Sequence, residues 1–63
     1  MTSQIDIYRS AGVLIREHAY RAAWEAAMRA DAMTDMGDMD GAATWRRILA
    51  AIEELLRTAP VKE

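Results

Sequence analysis

The stretch Gly37-Asp38-Met39-Asp40-Gly41-Ala42-Ala43-Thr44-Trp45-Arg46-Arg47-Ile48-Leu49-Ala50-Ala51-Ile52-Glu53-Glu54-Leu55-Leu56-Arg57 decides the fold. Within it Trp45, Ile48, Leu49, Ile52, Leu55 and Leu56 recur at intervals of three and four, and Ala59 extends the series. That spacing places them on one face of a helix of about 3.6 residues per turn. Arg46, Arg47, Ala50, Glu53, Glu54 and Arg57 take the other face. Glu53 and Arg57 stand at i, i+4 in the favourable order, which predicts an ion pair. Asp38 or Asp40 can cap the start of this helix, and both put negative charge at the positive end of its dipole. Gly37 suits the left-handed residue that closes a preceding helix. Ala59-Pro60 ends the last one, because the residue before proline resists the helical region. The spacing predicts a helix over 39–58.

Upstream the pattern is less direct. Ser3 with Asp6 resembles a capping box. Ile7, Tyr8, Ala11, Leu14, Ile15 and His18 then share one face. From Ala22 onward the stripe is Ala23, Ala26, Ala30 and Met33, with Trp24 and Ala27 to one side. On one continuous helix these two stripes differ in phase by roughly a quarter turn. A break near His18-Ala19-Tyr20 removes the mismatch and gives three helices, about 4–17, 20–36 and 39–58. No Gly, Pro, Ser, Asn or Asp lies between Val13 and Ala30 to make that break. The alternative is one helix over 4–36, on the order of 50 Å long at about 1.5 Å per residue. Such a hairpin needs a second copy to cover it, as a four-helix bundle.

The 63 residues make one small helical domain, 1–63, near the lower size limit for an independent core. A core of this size supplies roughly 3 to 5 kcal/mol. There is no cysteine, and the one histidine leaves no zinc ligand set. A chain 52% hydrophobic and 29% charged is globular. The net charge of −2 counts against a nucleic-acid binder, which is normally basic. No apolar run approaches a membrane span, and the N-terminus lacks a signal-peptide pattern. The expected location is the cytoplasm.

Ala30-Asp31, Gly37-Asp38, Asp40-Gly41, Trp45, Ile48, Ala51-Ile52 and Glu54-Leu55 carry a resemblance. They resemble a family of small proteobacterial helical proteins with an Arg-Ala-Asp helix, a Gly-Asp-x-x-Gly turn and a Trp-x-x-Ile-x-x-Ala-Ile-x-x-Leu helix. Ile15 through His18 is similar to that family's earlier segment. Members often carry a glycine after the histidine, where this chain has Ala19. The resemblance implies three helices and brings no activity, cofactor or site residue with it.

Candidate chemistry is sparse. Asp38-Met39-Asp40-Gly41 matches the middle of a calcium-binding EF-hand loop. In that register Met36 and Arg47 fall where a carboxylate and a bidentate glutamate are required. A capped turn explains the same residues. Asp31, Asp35, Asp38 and Asp40 form an acidic patch, read first as solvated helix ends. Met33, Met36 and Met39 have copper-like spacing with Met28 nearby, but methionine is also an adaptable packing residue. His18 has no nucleophile or orienting partner at a useful spacing, so it reads as a helix-end residue. Arg46-Arg47 is weak support for a DNA-reading helix, since the same face carries Glu53 and Glu54. No catalytic residue, metal site or cofactor is assigned.

The middle segment has a second apolar side, Tyr20, Trp24, Ala27 and Met28, separated from the first by Glu17, Arg21, Glu25 and Arg29 at i, i+4 spacing. A helix apolar over so wide an arc is central to a bundle or meets a partner. Tyr20, Trp24, Ala27 and Met28 are therefore the candidate interface. The expected fold is all-α, a small three-helix bundle. The expected function is non-catalytic: a protein-protein interaction module, binding a protein partner or forming a homodimer or other homo-oligomer. The alternative is a small phage or mobile-element inhibitor that binds a larger nucleic-acid-processing complex.

Overall fold

The structure, a computed structural model, describes residues 3–58. It contains α1 (Gln4–His18), α2 (Ala22–Asp35) and α3 (Met39–Thr58). A 3-10 turn, Ala19–Arg21, joins the first two. The protein is an all-α three-helix bundle. The stop at Ala59-Pro60 lies outside the described residues.

The starts of α1 and α3 have local causes. Ser3 caps α1, its hydroxyl accepting the Asp6 N–H at 3.1 Å. The α2–α3 turn is a Schellman motif fused to a cap. Gly37 takes φ 81°. Its N–H donates to the Thr34 carbonyl at 3.0 Å, and the Asp38 N–H donates to Met33 at 2.8 Å. Asp38 then caps α3: its Oδ1 accepts the Gly41 N–H at 2.9 Å. Gly41 has no room for a side chain, because a Cβ there would stand 2.5 Å from Asp38 Oδ2 and 3.1 Å from Met33 Sδ. Gly41→Ala is expected to displace the capping carboxylate, a loss of up to about 2 kcal/mol that exceeds the roughly 0.5–1 kcal/mol alanine gains over glycine in a helix, for a net cost of about 1 kcal/mol. Gly12→Ala, with nothing within 4 Å of the added carbon, is the control. It should gain roughly 0.5–1 kcal/mol. Urea unfolding of both variants checks the opposite signs.

The break between α1 and α2 falls at Ala19, with φ 53° and ψ −126°. This is glycine backbone, and Ala19 is the one non-glycine residue with positive φ among the described residues. Such a residue stores roughly 1–3 kcal/mol. The Ala19 N–H still closes α1 on the Ile15 carbonyl, and the Ala22 N–H donates to the Ala19 carbonyl to open α2. The single-helix alternative over 4–36 is thereby overturned. Its stripes, a quarter turn out of phase, cannot both face α3 from a straight helix; the sharp turn at Ala19 lets them.

The helices run up, down, up. Arg29 stacks on Trp45, while Met33 sits against Gly41, so α3 returns along α2. Gln4 meets Arg47 and Tyr8 meets Glu54, so α1 advances along α3 in the same sense. The core between them is Ile7, Ala11, Leu14, Ala22, Ala26, Ile48, Ala51 and Ile52. Ala30 and Ala42 are buried beyond it. All that α2 buries is alanine, which lets its backbone approach α3 closely, and the α2–α3 contact is the most extensive in the molecule.

The expected anchors divide. Ile48 and Ile52 are buried, whereas Trp45 and Leu55 are half-buried at the border. Leu56, placed on the core face by spacing, is 41% exposed at the edge of the stripe in the last turn. Ala22 and Ala51 are buried without having stood out as stripe positions.

Candidate interaction surface

On α2 the buried positions Ala22, Ala26 and Ala30 define the inner side. At 100° per residue, Trp24 and Met28 project to the opposite side. Trp24 is 52% exposed, Met28 49%, and Tyr20, one turn earlier in the 3-10 segment, 85%. Ala27 is half-buried beside them. All four candidate residues thus lie outside the core cluster, and the three large ones form a row facing solvent.

The charged strip beside that row is arranged differently from the expected ladder. Glu25 and Arg29 approach to 3.9 Å. Arg21 instead lays its guanidinium 5.0 Å above the Trp24 ring. Arg29 also covers Trp45 at 5.0 Å. Cation–π contacts of this kind contribute about 0.5–1 kcal/mol at exposed sites and fix the ring's orientation. Glu17 reaches His18 at 3.9 Å rather than Arg21. Glu53 and Arg57 form no ion pair among the described residues. A flat aromatic face three residues away offers Arg21 more contact than a solvated carboxylate does.

A second feature lies between α1 and α3. An open groove of about 230 Å³ is lined by Gln4, Ile7, Tyr8, Arg47, Ala50, Ala51 and Glu54. Tyr8 Oη donates to Glu54 Oε1 across it. Arg47 Nη2 donates to Gln4 Oε1 at 3.2 Å. Residues 46 positions apart meet here, so no local pattern points to the groove. The Tyr8 phenol is raised above its ordinary value, first by the hydrogen bond to Glu54, then by desolvation and the Glu54 charge. The bond needs the neutral phenol. Its stabilisation is therefore present below the ordinary tyrosine value near 10 and is lost as pH rises through the higher folded value. The phenolate absorbance at 295 nm that Tyr8→Phe removes is expected to appear late, above that ordinary value. An early component would contradict the pairing.

The remaining candidates take structural places. Asp38 caps α3. Asp31, Asp35 and Asp40 are exposed, and no three acidic or histidine side chains among the described residues converge on a metal position. Met33 packs against Gly41, while Met36 and Met39 are exposed at the turn. Arg46 Nη2 donates to Thr34 Oγ1 at 3.2 Å, and Arg47 to Gln4. Both arginines of the candidate DNA-reading pair are thus engaged within the chain. Ile5 and Val13 on α1 are exposed apolar residues that the periodicity leaves off the stripe. No helix among the described residues is long and apolar enough to cross a membrane.

Comparison with protein-family models, with curated proteins and with solved structures found no match.

Proposed function

We propose that this chain is a non-catalytic protein-interaction module acting in the cytoplasm, and that it docks through the outer side of α2. The observation that carries this reading is the row Tyr20, Trp24 and Met28, exposed together opposite the core. A solvent-facing tryptophan beside a tyrosine and a methionine matches the composition of interface centres, where aromatic residues, Met and Arg are enriched. The Arg21 guanidinium over the Trp24 ring biases the ring's orientation, which lowers the ordering cost of docking.

Trp24→Ala is expected to cost about 1 kcal/mol of folding stability, chiefly the lost contact with Arg21, and to leave the chain folded. Urea unfolding followed by circular dichroism measures it. Loss of the fold would make Trp24 a structural residue and overturn the reading. A photo-reactive phenylalanine analogue at position 24 should form protein adducts in cells, and the same analogue at Glu53 should not. Equal labelling at both positions would also overturn it.

A further inference from the structure

We infer that the occupant of this face is a second copy of the chain, with the two α2 helices packed antiparallel about a two-fold axis. The inference rests on the interaction-face reading above and adds the partner and its register.

Tyr20, Trp24, Ala27 and Asp31 follow one another at spacings of four, three and four. On α2, Trp24, Ala27 and Asp31 have the spacing of the a/d seam of a two-stranded helical pair, and Tyr20, in the 3-10 turn just before the helix, extends it. Tyr20, Trp24 and Asp31 are exposed and Ala27 half-buried, so the seam is open to solvent. A two-fold interface must be self-complementary: if one residue meets a second, the second meets the first. The seam has this property when it is reversed. The pairs Tyr20/Asp31 and Trp24/Ala27 share one midpoint, between Glu25 and Ala26. In an antiparallel pair with that midpoint, the largest side chain of each seam faces the smallest of the other. Each Tyr20 hydroxyl faces a carboxylate it can donate to. A parallel pair instead sets Trp24 against Trp24 and Asp31 against Asp31, which crowds one layer and opposes like charges in another.

The flanks agree with the antiparallel choice. Same-flank positions meet in antiparallel pairs, bringing Arg21 of one chain beside Met28 of the other, with its guanidinium already on Trp24. The other flank offers Ala23, half-buried and small enough for close approach. Glu25 and Arg29 pair with each other outside the seam.

Area sets the strength. Two aromatic residues of about 150–250 Å² each, exposed as observed, with Met28 supply on the order of 400–500 Å² per chain. The pair then buries on the order of 1,000 Å², the lower end for a specific interface. The dimer is accordingly weak and concentration-dependent.

Sedimentation equilibrium on the full chain from about 10 μM to 1 mM tests it, with circular dichroism to show that each variant stays folded. The wild type is expected to pass from monomer to dimer in this range, and Trp24→Glu to weaken dimerisation at least tenfold. Tyr20→Glu sets like charges across the end layers and should weaken it about fivefold or more. Adding Asp31→Lys to Tyr20→Glu should restore most of the lost affinity, while Asp31→Lys alone changes it little. A monomer at 1 mM overturns the second copy as occupant; it leaves the interaction face to be judged by the position-24 adducts. A dimer indifferent to Trp24→Glu uses another face and also overturns the inference. A dimer that needs Trp24 but shows no rescue in the double variant overturns the antiparallel register.

Discussion

Ile52→Ala is expected to leave most of the protein unfolded at 25 °C. Ile52 is fully buried, at 0% exposure, and stands in the cluster where all three helices meet. Removing a buried isoleucine side chain down to alanine costs about 2–5 kcal/mol, through lost transfer energy and the cavity left behind. A core this small supplies only about 3–5 kcal/mol in total. The cluster limits recovery, because half of its members, Ala11, Ala22, Ala26 and Ala51, have no side-chain length with which to fill a hole. Ile52→Val removes one methyl group and should cost about 0.5–1.5 kcal/mol, leaving a folded chain. Helical content at 222 nm during a urea titration reads both. A Leu56→Ala variant, altered at a 41% exposed site in the same helix, should unfold close to wild type. An Ile52→Ala variant that unfolds near the wild-type midpoint would mean that the three helices do not converge on this residue.

Ala19→Gly is expected to stabilise the fold. The conformation at φ 53° and ψ −126° is open to glycine at no steric cost and closed to a side chain without strain. Relief of roughly 1–3 kcal/mol is offset by the extra chain entropy of an unfolded glycine, roughly 0.5–1 kcal/mol. The net gain is about 1 kcal/mol, which for a domain of this size raises Tm by roughly 4–8 °C. Ala19→Val moves the other way, since a β-branched side chain tolerates positive φ least. The signs make the test specific. If α1 and α2 were one continuous helix at this point, glycine would lower Tm through poor helix propensity. A fall in Tm on Ala19→Gly would therefore remove the break on which the bundle depends.

Much of the fold is legible locally. The stripe from Trp45 to Leu55, the Gly37-Asp38 punctuation and the Ser3 cap all act within one or two turns of chain, so their effects can be read from spacing. The break at Ala19 is different in kind. Its only advance trace is the phase slip between the stripe at Ile7, Ala11 and Leu14 and that at Ala23, Ala26, Ala30 and Met33. The local residues favour helix throughout, and packing against α3 overrides them. Leu56 shows the converse: its spacing fits the stripe, but its place at the bundle's end leaves it partly in water.

The candidate surface divides in the same way. Tyr20, Trp24, Ala27 and Met28 are recognisable as a second apolar side because helical periodicity assigns every residue to a side. Whether a neighbouring helix covers that side depends on where α1 and α3 lie, and they lie elsewhere. Arg21 leaving the expected ladder for the Trp24 ring likewise follows from geometry that spacing does not contain.

By itself, then, the sequence determined an all-helical chain, the capped turn before α3 and the inward face of α3, because these follow from hydrogen bonding and periodicity over a few residues. Only the tertiary structure decided that α1 folds back at a strained alanine, that Tyr8 meets Glu54 across a groove, and that the aromatic side of α2 faces solvent. Those outcomes depend on residues far apart in the chain coming together, and the energy of burying one shared core selects among them.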